Sequence, residues 1–364
     1  MSTVRKFGMF IVVILISLIY LLSKIDLEID LGIYRVSKTG FDTSVIKASL
    51  KPLFFLAIGI AVLVLINKTE KLISIRLSLG GRDISLIAAL FLLLLELLVI
   101  ITCVDKCYGF YNTYELERSV DEMRSFVSGE KTVIHAAGTY ISGDAVYTYS
   151  NSREALENCY ETGNRIAELD FIWTSDGQLV CGHDDEKSWC YGIDSSNALS
   201  EEGFLNSKLF GTLTTMSLDN LAVFLQTHED LLIVTDIKDD NTLACKFIAD
   251  NYPELMDRFI VQIYHMDEYD AIRNLGFKYM IYTLYRTEAD EREKSKLVSD
   301  INSHDFVGLT FWYDWIETKD IYDDVKDIGI PIFVHTVNDK SEIDNCMDMN
   351  LLIYTDNTDN GWLR

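Results

Sequence analysis

Between residue 131 and the C-terminus, short β-rich runs alternate with helical stretches, and few folds satisfy that order. The predicted strands are Thr132–Gly138, Arg165–Thr174, Leu231–Lys238, Phe259–Tyr264, Lys278–Tyr285, Phe306–Asp314, Pro331–Val337 and Leu351–Asn357. Helical segments are predicted between them, among them Ser152–Thr162, Ser217–His228, Asn241–Asp257, Asp267–Leu275, Thr287–Ser303, Glu317–Ile328 and Lys340–Met349. Several open on a capping side chain and close near glycine, as from Asn151/Ser152 to Gly163 and from Met266/Asp267 to Gly276. Eight strands separated by helices predict an α/β chain folded as a (β/α)8 TIM barrel, and about 230 residues is within its usual size. An open doubly wound sheet is the alternative, although it would more often show fewer strands. Only Thr358–Arg364 follow the eighth strand, so the last helix is expected to be missing, and Glu115–Ser128 is expected to form a helix that closes the barrel's base.

The first 104 residues have a different character. Three apolar runs, at about 7–23, 50–66 and 84–104, approach or exceed the roughly 20 residues that a bilayer-spanning helix needs. A signal peptide is the rival reading of the first run, but Tyr20 to Lys24 offers no small-x-small cleavage site. The expectation is therefore a membrane domain at 1–104 with three transmembrane helices, a connecting helix at 105–130 and a barrel at 131–364. Basic residues at Arg5 and Lys6, and at Lys68, Lys71, Arg76 and Arg82, place the N-terminus and second loop inside. A multi-pass cell-membrane protein with its barrel extracytoplasmic follows. Residues 1–104 hold 11 Lys and Arg against 7 Asp and Glu, so a chain of net charge −24 carries −28 beyond that point. Such an acidic domain argues against nucleic acid as a partner. Glu96, within the third run, is a functional candidate by its cost in lipid, or a protonated residue packed against a neighbouring helix. Cys181 and Cys190 could pair across a loop, whereas Cys159, Cys245 and Cys346 read as buried thiols.

Within the predicted barrel, polar residues gather where barrels carry chemistry, at strand C-terminal ends. Glu168 and Asp170 are two apart on the second strand and so share a face, while Ala167, Leu169 and Phe171 take the outer face under the helices. Two carboxylates directed into one cavity repel unless a cation neutralises them, and oxygen-only ligands suit Ca²⁺ or Mg²⁺. His135 ends the first strand and His183 follows the turn at Asp176-Gly177, offering an acid and a base near neutral pH. Asp236 and Lys238 close the third strand, where a plain ion pair is the competing reading, and His335 and Asn338 close the seventh. Trp312, at the end of the sixth, is a candidate for a polyol pocket or simply a packed ring. Metal-assisted phosphodiester cleavage is the chemistry that suits this set.

These residues fall in stretches that resemble the glycerophosphodiester phosphodiesterase family, within the phosphatidylinositol-phospholipase-C-like barrels. They are Val133-Ile-His135-Ala-Ala-Gly138, Ala167 to Asp184 with its E-x-D-x-x-x-T-x-D-G-x-x-V-x-x-H-D string, and Leu232-Ile-Val-Thr-Asp236-Ile-Lys238. Weaker echoes are Phe333-Val-His335-Thr336-Val-Asn338 and Ile353-Tyr-Thr355-Asp356. The resemblance implies catalysis by His135 and His183, a divalent cation held by Glu168, Asp170 and Asp236, and a phosphate contact from Lys238. Asp236 stands where the family usually has glutamate. Ala136 stands where it commonly has the arginine that grips phosphate, and His335 replaces a frequent tryptophan, which implies a reshaped, more polar pocket. The implied substrate is a glycerophosphodiester, either a deacylated phospholipid or a glycerol-phosphate envelope polymer. Alternatives are a phospholipase or lyase that acts on intact lipid to give a cyclic phosphate, and a non-catalytic phosphoglycan-binding or membrane-assembly protein.

Overall fold

The computed structural model describes residues 112–183, 199–237, 239–318 and 321–359. The three apolar runs, Glu96, Cys190 and Lys238 lie outside these residues. Among the described residues no helix is long and apolar enough to cross a membrane.

From Leu116 onward the chain forms one unit, organised around eight parallel strands. They are β1 (Thr132–Ile134), β2 (Ile166–Trp173), β3 (Leu232–Ile237), β4 (Phe259–Ile263), β5 (Tyr279–Thr283), β6 (Gly308–Trp312), β7 (Ile332–His335) and β8 (Leu352–Thr355). Each pairs with the next in sequence, β8 pairs with β1, and the Ile134–Ala167 pairing between β1 and β2 closes the ring. The predicted (β/α)8 barrel is thus the observed fold. Its longest ladder joins β2 to β3, from Ile166 opposite Leu232 to Phe171 opposite Ile237, and sets Asp170 level with Asp236.

Alternation along the strands sorts side chains into two cores. Ala167, Leu169, Phe171, Ile233, Val261 and Ile263 point outward into the layer beneath the helices. Val133, Ile166, Val234, Ile260, Ile281 and Phe333 fill the lower interior, where Val120, Met123 and Val127 of a helix over 116–130 pack against them. That helix plugs the base, as expected for Glu115–Ser128, and the Arg124 Nε–H donates to the Phe306 carbonyl oxygen at 2.7 Å. Above this apolar plug the interior turns polar. Glu168, Asp170, Asp236, Gln262, Thr283 and Thr310 are all buried there.

Several element bounds differ from expectation. The strands are shorter, because backbone pairing stops where the chain turns at the rim. β1 ends at Ile134, and His135–Ala137 form a 3-10 turn with left-handed φ values of 46° at Ala136 and 61° at Ala137. The helix expected over 241–257 breaks at Pro253, which continues as a 3-10 segment, Pro253–Arg258. The helix expected from Thr287 begins only at Lys294, and the one over 317–328 is two short pieces, Trp315–Thr318 and Ile321–Val325. A hairpin of Tyr140–Ser142 with Ala145–Tyr147, turning at Gly143, was not expected. The turn at Asp176-Gly177 does connect β2 to an antiparallel partner, Leu179–Cys181, which leads directly to His183. Helix starts follow the capping rules: the Ser152 hydroxyl accepts from the Ala155 N–H, and Ser217 forms a capping box with Asn220. Cys159, Cys181, Cys245 and Cys346 are free and buried.

Gly138 closes the turn after β1 at φ 81°, and a Cβ there would lie 2.5 Å from Thr358 Cγ2 and 2.6 Å from Ile134 Cγ2. Gly138→Ala is therefore expected to lower unfolding free energy by about 2–4 kcal/mol, through left-handed strain added to overpacking. Urea denaturation checks this, and a loss below about 0.5 kcal/mol, the usual range for an unstrained surface change, contradicts it.

Candidate active site

The site begins as a consequence of strand parity. Glu168 and Asp170 face inward from β2, Asp236 faces inward from β3, and the ladder between these strands fixes their heights. One carboxylate oxygen from each lies within 4.8 Å of the others, and all three side chains are buried. Three like charges this close favour a divalent cation, and an all-carboxylate donor set fits Ca²⁺ or Mg²⁺.

Donors hold each carboxylate in place. The Ala136 N–H donates to Glu168 Oε2 at 2.7 Å, which the left-handed turn after β1 makes possible. Asn151 locks Asp170 twice, its Nδ2 donating to Oδ2 and its Oδ1 accepting from the Asp170 N–H, both at 2.9 Å. The Tyr264 hydroxyl donates to Asp236 Oδ1, and the Tyr285 hydroxyl lies 3.4 Å from the same oxygen. Burial first, and then the charge of Asp236, push the Tyr264 phenol far above its usual pKa, so it remains a donor.

His135 sits at the top of β1 with Nε2 3.9 Å from Glu168 Oε2. Its Nδ1 lies 3.0 Å from Asp356 Oδ1, and since a carboxylate only accepts, Nδ1 carries the proton. Asp356 is itself held by Asn338, whose Nδ2 donates to Asp356 Oδ2 at 2.6 Å and whose Oδ1 accepts from the Asp356 N–H at 2.9 Å. Burial alone would lower the His135 pKa. The Glu168 charge, the Asp356 hydrogen bond and charge, and Asp170 outweigh it and raise the value to about 9.

His183 arrives from the hairpin, where the Gly182 N–H donates to the Asp170 carbonyl oxygen at 2.9 Å. Tyr149 stands between the two imidazoles, with ring centroids 4.6 Å from His135 and 5.6 Å from His183. Its hydroxyl lies 3.4 Å from Asp170 Oδ1.

The structure therefore brings together Glu168, Asp170, Asp236, His135 and His183. Lys238 lies outside the described residues. His335 ends β7, where Nδ1 is 2.9 Å from Thr310 Oγ1 and the ring meets Tyr285 edge-on. Trp312 ends β6, is 45% exposed, and lies nearly parallel to Tyr285, at an interplanar angle of 8°. Both thus line the mouth next to a tyrosine that reaches Asp236. Sequence reasoning assigned no role to Tyr149, Asp356 or Tyr285. Asp356 was findable, because it follows the end of β8 at the same rim. Tyr149 was not, since its place depends on a left-handed φ of 62° in an irregular segment.

Solved structures share this architecture. A protein of Galdieria sulphuraria, assigned as a glycerophosphodiester phosphodiesterase, superposes with TM-score 0.51 at 16% identity over 64% of this chain and 95% of its own. A glycerophosphodiester phosphodiesterase of Thermotoga maritima gives 0.48 at 22% identity, over 64% and 97%. A phosphodiesterase of Oleispira antarctica, solved with its product sn-glycerol-3-phosphate, gives 0.47 at 15% identity, over 62% and 92%. No protein-family model and no curated protein matches the chain. At 16% identity the likeness to the Galdieria sulphuraria protein is one of fold.

Because the folded state of the cation-free protein raises the His135 pKa, the imidazole's contribution to stability is complete below about pH 6.5. That contribution is lost as pH rises through about 9. Thermal unfolding in EDTA should show Tm falling across this window, and His135→Asn should flatten the fall. A wild-type slope that survives the substitution contradicts the clamp by Glu168 and Asp356.

Proposed function

We propose that this protein is a divalent-cation-dependent phosphodiesterase that hydrolyses glycerophosphodiesters. The observation that carries the reading is the buried carboxylate triad with His135 at 3.9 Å from one of its members and His183 across the Tyr149 ring. A site that only bound phosphoglycan would need no paired imidazoles. The shared barrel fold and the gathering of these groups in its polar upper interior and rim agree with it.

Glu168, Asp170 and Asp236 would hold the cation, Ca²⁺ or Mg²⁺, which when bound would supply Lewis-acid polarisation of the phosphoryl group and a more acidic nucleophile. The remaining work falls to side chains. Asp356 keeps Nδ1 of His135 protonated and turns Nε2 toward the cluster, which suits His135 to protonate the leaving alkoxide. His183 then takes the proton from the attacking hydroxyl or water. Lys238, two positions after Asp236 in the sequence, would grip a non-bridging oxygen as a point charge. Trp312 and His335, with Tyr285 between them, would contact the polyol head group. Three N-terminal apolar runs and the distribution of basic residues support anchorage in the cell membrane with the barrel outside it.

The test is release of glycerol phosphate from glycerophosphodiesters by the full chain. EDTA should abolish turnover, and added Ca²⁺ or Mg²⁺ should restore it. His135→Ala and His183→Ala should each lower kcat by about 10²–10⁴-fold. Turnover untouched by EDTA, or retained by either histidine variant, overturns the reading. For the anchor, full-length protein should stay in the membrane pellet after an alkaline carbonate wash, and recovery in the supernatant argues against it.

A further inference from the structure

The neighbourhood of the site is strongly acidic. Glu168, Asp170, Asp236 and Asp356 converge on one rim, and a phosphodiester brings another negative charge to it. A dication offsets only part of that repulsion. Position 136 adds no charge. Its methyl group is buried and its N–H is committed to Glu168.

A guanidinium stands nearby. Arg286 follows β5 at the same C-terminal rim, in the 3-10 turn Leu284–Arg286. Its Cζ lies 4.6 Å over the Tyr264 ring and 5.6 Å from the Tyr285 centroid. The hydroxyls of these rings are the ones that reach Asp236, so Arg286 is one phenol away from the triad. Against the opposing cost of desolvation, the Tyr285 and Tyr264 phenols and Asp236 raise the Arg286 pKa, and Arg286 forms no ion pair among the described residues. Other arginines are used differently. Arg258 donates to the Leu225, His228 and Leu231 carbonyls, and Arg273 to those of Phe277, Lys278 and Asp305. Arg286 is exposed at the rim and packs over two aromatic rings, a setting that suits a guanidinium to meet an anion.

We propose that Arg286 is a substrate-binding residue, its guanidinium holding the phosphoryl oxygens of the diester from the β5 side of the rim. This rests on the phosphodiesterase reading, and deepens it by naming the group that supplies the positive charge position 136 lacks.

The experiment compares the full chain, loaded with Mg²⁺ or Ca²⁺, with Arg286→Ala and Arg286→Lys. Two quantities are measured: KM against kcat for a glycerophosphodiester, and the affinity for inorganic phosphate by calorimetry. Arg286→Ala should raise KM and weaken phosphate binding together by about tenfold to a hundredfold, with a smaller change in kcat, as expected for a lost charge-assisted contact. Arg286→Lys should fall between the two, since it keeps the charge and loses the fork. The side chain is exposed, so Tm should not move. Phosphate affinity and KM within twofold of wild type in Arg286→Ala overturn the proposal, as does wild-type protein that binds no phosphate. The calorimetric arm is independent of turnover. If the wild type cleaves no glycerophosphodiester but loses phosphate on Arg286→Ala, the phosphodiesterase reading falls and the anion contact stands.

Discussion

Three carboxylates packed within 4.8 Å of one another in the interior are the constraint to which much of this molecule answers. Two unit charges at 4 Å repel by about 4 kcal/mol even at an effective dielectric near 20, so a flexible scaffold would let them separate. The barrel does not. Asp170 and Asp236 face each other across the longest ladder of the sheet. The Ala136 N–H, the Asn151 amide and the Tyr264 hydroxyl then fix one carboxylate each, so each group is held by an element other than its own strand.

That arrangement requires the barrel to be divided along its axis. Below the triad the interior is apolar and sealed by Val120, Met123 and Val127, which supplies the hydrophobic burial that a polar upper layer cannot. Above it, donors and rings take over. The left-handed residues Ala136 and Ala137 show where the backbone accepts strain to serve the site, since this turn directs the Ala136 N–H at Glu168 and lets His135 meet Asp356. Aromatic rings form the rim. Tyr149 spaces the two imidazoles, while Tyr285 links Asp236 to His335 and Trp312.

Much of the site was legible because its logic is local. Glu168 and Asp170 share a face by strand parity, and the turn at Asp176-Gly177 had to return the chain toward β2, which put His183 beside Asp170. The stretches hardest to read were those without period. The segment from Thr139 to Asn151 holds a hairpin and the Tyr149 turn, and its placement comes from bonds to Ala136, Asp170 and Asp356 rather than from its own spacing. Helix ends failed for similar reasons, as at Lys294, where the chain after β5 follows the rim before it turns helical.

The alternating order of strand and helix, the parity of Glu168 with Asp170, and a helix ahead of β1 were determined by sequence alone, because each depends on residues a few positions apart. Only the closed barrel decided that Asp356 would orient His135, that Tyr149 would stand between two histidines, and that Arg286 would lie over the tyrosines of Asp236. His135 and Asp356 are 221 positions apart and meet because β8 pairs with β1, while the others meet across neighbouring strands of the ring. No local pattern encodes such a meeting. It is fixed by the hydrogen bonds that close the ring.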